Sequence, residues 1–116
     1  MAVPDKRFTF DRERAETPLS HFWKDHQRGP EISRKEHYVE WVTIAQKNKG
    51  ETPEETELRI ENLVKQKYSI HFHVWTGESF LQFLDDMQKK TGIRSEIIFS
   101  GSFPSQLETI FIITKI

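Results

Sequence analysis

The four residues Ile110-Phe111-Ile112-Ile113, within an extended segment over residues 108–116, constrain the fold of this chain more than any other stretch. Each is β-branched or aromatic, so the segment reads as a strand. A strand with one wet face alternates apolar and polar side chains. An unbroken apolar run predicts instead a strand covered on both faces and flanked by neighbours on both edges. One neighbour is a strand over residues 94–99, which returns through a loop containing Gly101 and Pro104 to form an antiparallel hairpin. The other edge wants a third strand. The apolar triplet Met1-Ala2-Val3, stopped by Pro4 and the charged turn Asp5-Lys6-Arg7, is the segment able to supply it.

Between the ends of this sheet lie four helical patterns. Thr17-Pro18 reads as an N-cap with proline at the first helical position, followed by an apolar face of Leu19, Phe22, Trp23 and His26 that Gly29-Pro30 ends. Ser33 with Glu36 forms a capping box, opening a helix that carries Tyr38, Trp41, Val42 and Ala45 to about Asn48. Thr52-Pro53-Glu54-Glu55 repeats the start signal, and Ile60, Leu63 and Val64 are the contacts of a third helix. The second and third helices together read as a peripheral, charged hairpin. An extended stretch over residues 68–75 follows. Thr76 then caps the most hydrophobic helix, with Phe80, Leu81, Phe83, Leu84 and Met87, closed by Thr91-Gly92. The expected fold class is α/β or α+β: a small mixed sheet of about three strands, ending in an antiparallel hairpin, with about four helices. Residues 1–116 form one domain, with 17–67 a helical insertion and 68–116 the extended segment, core helix and strand pair.

At 116 residues the chain buries one core, not two. Lysine plus arginine number 17 against 18 for aspartate plus glutamate, so no global field draws it to nucleic acid or an anionic membrane. The basic residues Lys6, Arg7, Arg12 and Arg14 alternate with Asp5, Asp11 and Glu13 and read as a solvated loop. The absence of cysteine rules out disulfides and thiolate chemistry and fits a reducing compartment. No apolar run spans a bilayer and no signal-peptide stretch opens the chain, so the expected location is cytoplasmic.

His71 and His73 alternate in an extended segment, which turns both to one side. Two imidazoles so spaced suit a zinc or iron ion, or general-base work on an acceptor hydroxyl or amine, or a hydrogen-bonded structural role. A metal lacks a third ligand in the sequence: His26 or Asp25 reaches the pair only by tertiary folding, and no metal site is assigned. His21 and Asp25, one helical turn apart, are positioned to pair. Trp23 and Trp41 read as core.

Three segments, VPDKRFTFDR over residues 3–12, TPLSH over 17–21 and YSIHFHVWT over 68–76, followed by an apolar helix and a strand pair, together resemble the C-terminal half of bacterial class I S-adenosylmethionine-dependent methyltransferases. The resemblance implies a partial Rossmann-like sheet. In it the strand at Val3 runs parallel to that over residues 96–99, through a crossover holding the helix from Gly77, and the last strand inserts antiparallel between them. It gathers Asp5, Lys6, Arg7 and Trp75 on the substrate side, with His71 and His73 as candidate catalytic residues. It also implies a cofactor site in an N-terminal half with a glycine-rich loop, which the scattered glycines here do not reproduce. The chain is therefore expected to hold no cofactor itself, S-adenosylmethionine belonging to a partner half, and to take a small-molecule or sugar acceptor. The alternative is a noncatalytic interaction module that self-associates through an open sheet edge.

Overall fold

The computed structural model describes residues 1–103 and 105–116; Pro104, assigned above to the hairpin loop, lies outside them. In chain order the elements are β1 (Ala2–Pro4), α1 (Leu19–Arg28), α2 (Arg34–Glu40), α3 (Pro53–Gln66), α4 (Gly77–Thr91), β2 (Ser95–Ser102) and β3 (Glu108–Lys115). A single 3-10 turn over Lys6–Phe8 follows β1, and a π-helical turn over Trp41–Ala45 prolongs α2.

The sheet order is β1-β3-β2. Both outer strands pair antiparallel to β3, with Val3 opposite Thr109 and Ile97 opposite Ile113, so β1 and β2 run in the same direction on either side of it. This is the arrangement that the apolar run demanded, and the fold is α/β, with four α-helices among the described residues. Beyond Pro4 the edge is closed by a parallel bridge between Asp5 and Trp75, whose carbonyl accepts from the Lys6 N–H at 2.8 Å.

Helix α4 covers one face of the sheet. Val3, Trp75, Phe80 and Phe111 are its buried centre, with Phe22, Phe83, Leu84 and Ile113 packed around them. Burial of a side chain such as Phe111 is worth about 1.5–3 kcal/mol. The opposite face departs from the expectation of two-sided cover: Ile112 is 50% exposed, and Ile98 and Phe99 are exposed beside it. An apolar run marks a strand's central position but does not distinguish burial by this chain from an apolar face left open.

Helices α2 and α3 are less peripheral than their charge suggests. Tyr38, Val42 and Ile60 form a second buried cluster, joined by Trp41, Leu63, Ile70 and Phe72. The Tyr38 hydroxyl donates to the carbonyl of Tyr68 at 2.6 Å, tying α2 to the extended segment.

Capping follows the sequence at α3 and α4, where Thr52 with Glu55 and Thr76 with Ser79 make complete capping boxes. It fails at the other two. Thr17 neither caps α1 nor faces solvent: its backbone N–H donates to the Val74 carbonyl and its hydroxyl accepts from the Val74 N–H. Ser33 precedes α2 without a side-chain cap: its backbone is already helical rather than extended, and its hydroxyl is turned to donate to the carboxylate of Asp25.

Candidate functional site

Three groups of polar side chains gather around the carboxyl end of β1 and the extended segment over residues 68–76. The first is a latch. Asp5, 2% exposed, accepts from the backbone N–H of Arg7 at 3.0 Å, from Arg7 Nε at 3.0 Å and Nη2 at 2.7 Å, and from the Gly77 N–H at 3.0 Å. Gly77 is the first residue of α4, so the carboxylate sits where the helix N-terminus favours negative charge. Burial works against ionisation of Asp5, but the bonds from Arg7 and Gly77 prevail and hold its carboxyl below 3.8. Glycine is required at 77 by close approach: a Cβ there would lie 2.9 Å from Thr109 Oγ1.

The second group surrounds His71. Its Nδ1 lies 2.7 Å from Asp11 Oδ2. Asp11 is buried and paired at 2.8 Å with Arg14, which is only 1% exposed. Arg14 also bonds Glu40 at 2.9 Å through Nε and the His71 carbonyl at 2.6 Å through Nη1. Arg14 therefore corrects the reading of residues 6–14 as a solvated loop: an arginine three residues from Asp11, meeting a carbonyl of the extended segment, has the partners that make burial tolerable. With Nδ1–H donated to Asp11, the ring's Nε2 carries the lone pair. His71 stacks on Phe10 at 5.4 Å and, with Phe8, Thr9, Pro4 and Leu107, lines a cavity of about 580 Å³.

The third group joins residues from three segments. Asp25 Oδ2 lies 3.0 Å from His73 Nε2, 3.2 Å from His37 Nε2 and 3.4 Å from His21 Nε2, and the Nε2 atoms of His21 and His37 are 3.2 Å apart. All four ligating atoms lie within 4.8 Å of one another. Ser33 donates to the other carboxylate oxygen. Burial disfavours the charged form of Asp25, yet the bonds from Ser33, His73 and His37 and the charge of His21 lower its carboxyl to about 2. Burial keeps His37 below 6.5 against the pull of Asp25, which favours a neutral ring. Cavities of about 110 and 170 Å³ flank the cluster, the larger lined by Asp25, Arg34, Phe72 and His73.

The candidate residues thus divide. Asp5 and Arg7 meet at the end of β1 through a contact between near neighbours in the chain, with Trp75 bridged to Asp5. Trp75 is buried in the core against Phe80 and Phe83, with ring centroids at 5.6 and 4.7 Å. Lys6 turns its amine to the Arg14 carbonyl. His71 and His73 do not share a centre, one binding Asp11 and the other Asp25. His21 and Asp25 pair as their spacing predicts, whereas His26 is exposed and lies tilted against Trp23, ring centroids 5.4 Å apart. The residues that sequence reasoning missed are Asp11, Arg14 and His37. Only the Asp11–Arg14 spacing carried a signal; nothing local marks His37.

No family model, curated protein or solved structure matches this chain.

Proposed function

We propose that this chain supplies the acceptor side of a methyl-transfer centre, with S-adenosylmethionine held by a cofactor-binding unit that docks along the outer edge of β1. The observation that carries the reading is the cavity at the carboxyl end of β1, walled by Phe8 and Phe10 and containing the oriented imidazole of His71. Ligands of open α/β sheets bind beyond the carboxyl ends of their strands, and an apolar hollow with few convergent polar groups suits a small acceptor. The reaction class comes from the resemblance of the segments over residues 3–12, 17–21 and 68–76 to methyltransferases.

In this reading a sugar or other small molecule bearing a hydroxyl or amine enters between the two phenylalanines. Its proton passes to Nε2 of His71 while Nδ1–H stays on Asp11, and Arg14 balances the charge behind them. Imidazole is the side chain suited to such proton transfer near neutral pH. Catalysis of this kind rests chiefly on positioning, so one base and a shaped cavity are sufficient equipment.

The test combines the chain with a polypeptide carrying a methyltransferase cofactor half. Calorimetry with S-adenosylmethionine and transfer of labelled methyl to a panel of sugars and amines are the readouts. Binding and transfer are expected only from the combination, and His71→Gln should reduce transfer by roughly 10²–10⁴-fold. Neither binding nor transfer from the combined proteins would overturn the reading.

A second reading is favoured by the exposed Ile98, Phe99 and Ile112 and by the outer edge of Ala2–Pro4, with which no strand pairs among the described residues. In it the chain is a noncatalytic module that pairs with a second copy of itself. Sedimentation at micromolar concentration distinguishes them: a dimer supports self-association, and a monomer removes it.

A further inference from the structure

We propose that His21, Asp25, His37 and His73 bind a single zinc ion that fastens α1 and α2 to the extended segment over residues 68–76. This inference is independent of the acceptor reading, since His71 and its cavity take no part in it.

The first argument is metric. Zinc bonds to imidazole nitrogen and carboxylate oxygen are about 2.0–2.1 Å long, so the edges of a tetrahedron of such ligands are about 3.3–3.4 Å. Four of the six edges, the three from Asp25 Oδ2 and the one between the Nε2 atoms of His21 and His37, run from 3.0 to 3.4 Å, and the four ligating atoms as a set lie within 4.8 Å of one another. Donors drawn from α1, α2 and the extended segment thus stand close enough for one ion to bind all four with small side-chain shifts.

Hydrogen bonding alone does not account for the cluster. If His21 and His37 both carry a proton on Nε2 to donate to Asp25, those two hydrogens face one another across 3.2 Å. If one of them is unprotonated there, its lone pair turns toward the carboxylate oxygen instead. A His37 proton shared between Asp25 and the lone pair of His21 meets the hydrogen bonds only by leaving that lone pair 3.4 Å from the carboxylate oxygen. A cation at the centre satisfies all four lone pairs together and leaves each Nδ1–H free to donate outward.

The surroundings are those of a metal ligand set. Ser33 fixes the free carboxylate oxygen, the outer-shell support that ligating groups characteristically have. Phe22 packs on His73 at 5.3 Å and Phe72 on His37 at 5.8 Å, placing apolar walls around the nitrogens. Nitrogen and oxygen donors without thiolate also suit other first-row ions, but a set of four protein ligands of this type favours zinc and closes its shell, the pattern of a structural site. Spacing in the chain agrees with that role: 21 and 25 share one helix face, whereas 37 and 73 are brought in from elsewhere.

The experiment uses untagged protein, stripped with chelator, and titrates zinc by calorimetry against a competing chromophoric chelator; cobalt is then substituted for its visible spectrum. One equivalent of zinc and intense tetrahedral cobalt bands are expected. Asp25→Asn and His37→Gln should each weaken zinc binding by roughly a hundredfold or more, and Ser33→Ala by about 10–100-fold, the usual effect of losing outer-shell support. His26→Gln should leave it unchanged. Circular dichroism accompanies each variant, and Ser33→Ala with the wild-type cobalt spectrum still decides the matter if a ligand variant fails to fold. The proposal is overturned if the folded wild-type chain binds no zinc, if folded ligand variants bind it as tightly as wild type, or if the cobalt spectrum is that of an octahedral ion.

Discussion

Replacing Arg14 by methionine tests the buried polar network behind His71. Arg14 is only 1% exposed and is the largest of the fully buried side chains among the described residues, and its guanidinium meets Asp11 at 2.8 Å, Glu40 at 2.9 Å and the His71 carbonyl at 2.6 Å. Methionine fills part of the volume but leaves the buried Asp11 carboxylate with the His71 ring as its remaining side-chain partner. Removing one member of a buried pair characteristically costs about 3–5 kcal/mol, because the other charge is left uncompensated. A domain of this size has about 5–15 kcal/mol in all, so the variant should be folded but marginal. Urea denaturation followed by circular dichroism reads the difference. Asp11→Asn added to Arg14→Met should recover a substantial part of the loss, since no unpaired charge then remains. A cost for Arg14→Met below about 1 kcal/mol, the range of exposed pairs, would refute the reasoning.

Other expectations follow from single contacts. Gly77→Ala places a methyl 2.9 Å from Thr109 Oγ1 and should destabilise by about 1–3 kcal/mol, with Thr109→Ala relieving most of it in thermal melts. The Asp5 carboxyl is held below 3.8 in the folded chain, so its contribution is fully present above about pH 4 and is lost as pH falls through the lower folded value. Asp5→Asn should accordingly flatten the acid limb of stability against pH; an unchanged limb would contradict it. Thr52→Ala removes the hydroxyl that accepts from the Glu55 N–H at the start of α3, while the bond from its own backbone N–H to the Glu55 carboxylate stays, and should cost about 1 kcal/mol in urea denaturation. Zinc at a hundred times its Kd should raise stability by about 2.7 kcal/mol, seen as a rise in Tm that chelator reverses.

What the sequence made legible was local. The start of α3 follows from the Thr52–Glu55 capping signal, the limits of α4 from the Thr76 cap and the Thr91-Gly92 close, and the central place of β3 from its unbroken apolar run. The juxtaposition of Asp5 with the start of α4 was legible only through the topology that the family resemblance implied. Contacts made across the chain were not. Ser33 and Glu36 fit a capping box, yet Asp25 takes the serine hydroxyl because folding delivers a carboxylate to it. Arg14 reads as solvated among its charged neighbours until the carbonyl of residue 71 arrives. His37 sits in a charged helix with no pattern to mark it, and acquires meaning only when α1 brings His21 and Asp25 against it. Alternation at 71 and 73 made the two histidines look like one site; their carboxylate partners, Asp11 and Asp25, separate them.

That separation is the central claim, and nitrogen-15 imidazole NMR of the five histidines, before and after one equivalent of zinc, tests it most directly. The account predicts that His21, His37 and His73 move together to metal-bound Nε2 shifts while His26 stays still and His71 keeps its Nδ1–H tautomer throughout. Zinc-dependent shifts at His71 equal to those at His73, or no response at any of the three clustered rings, would contradict it.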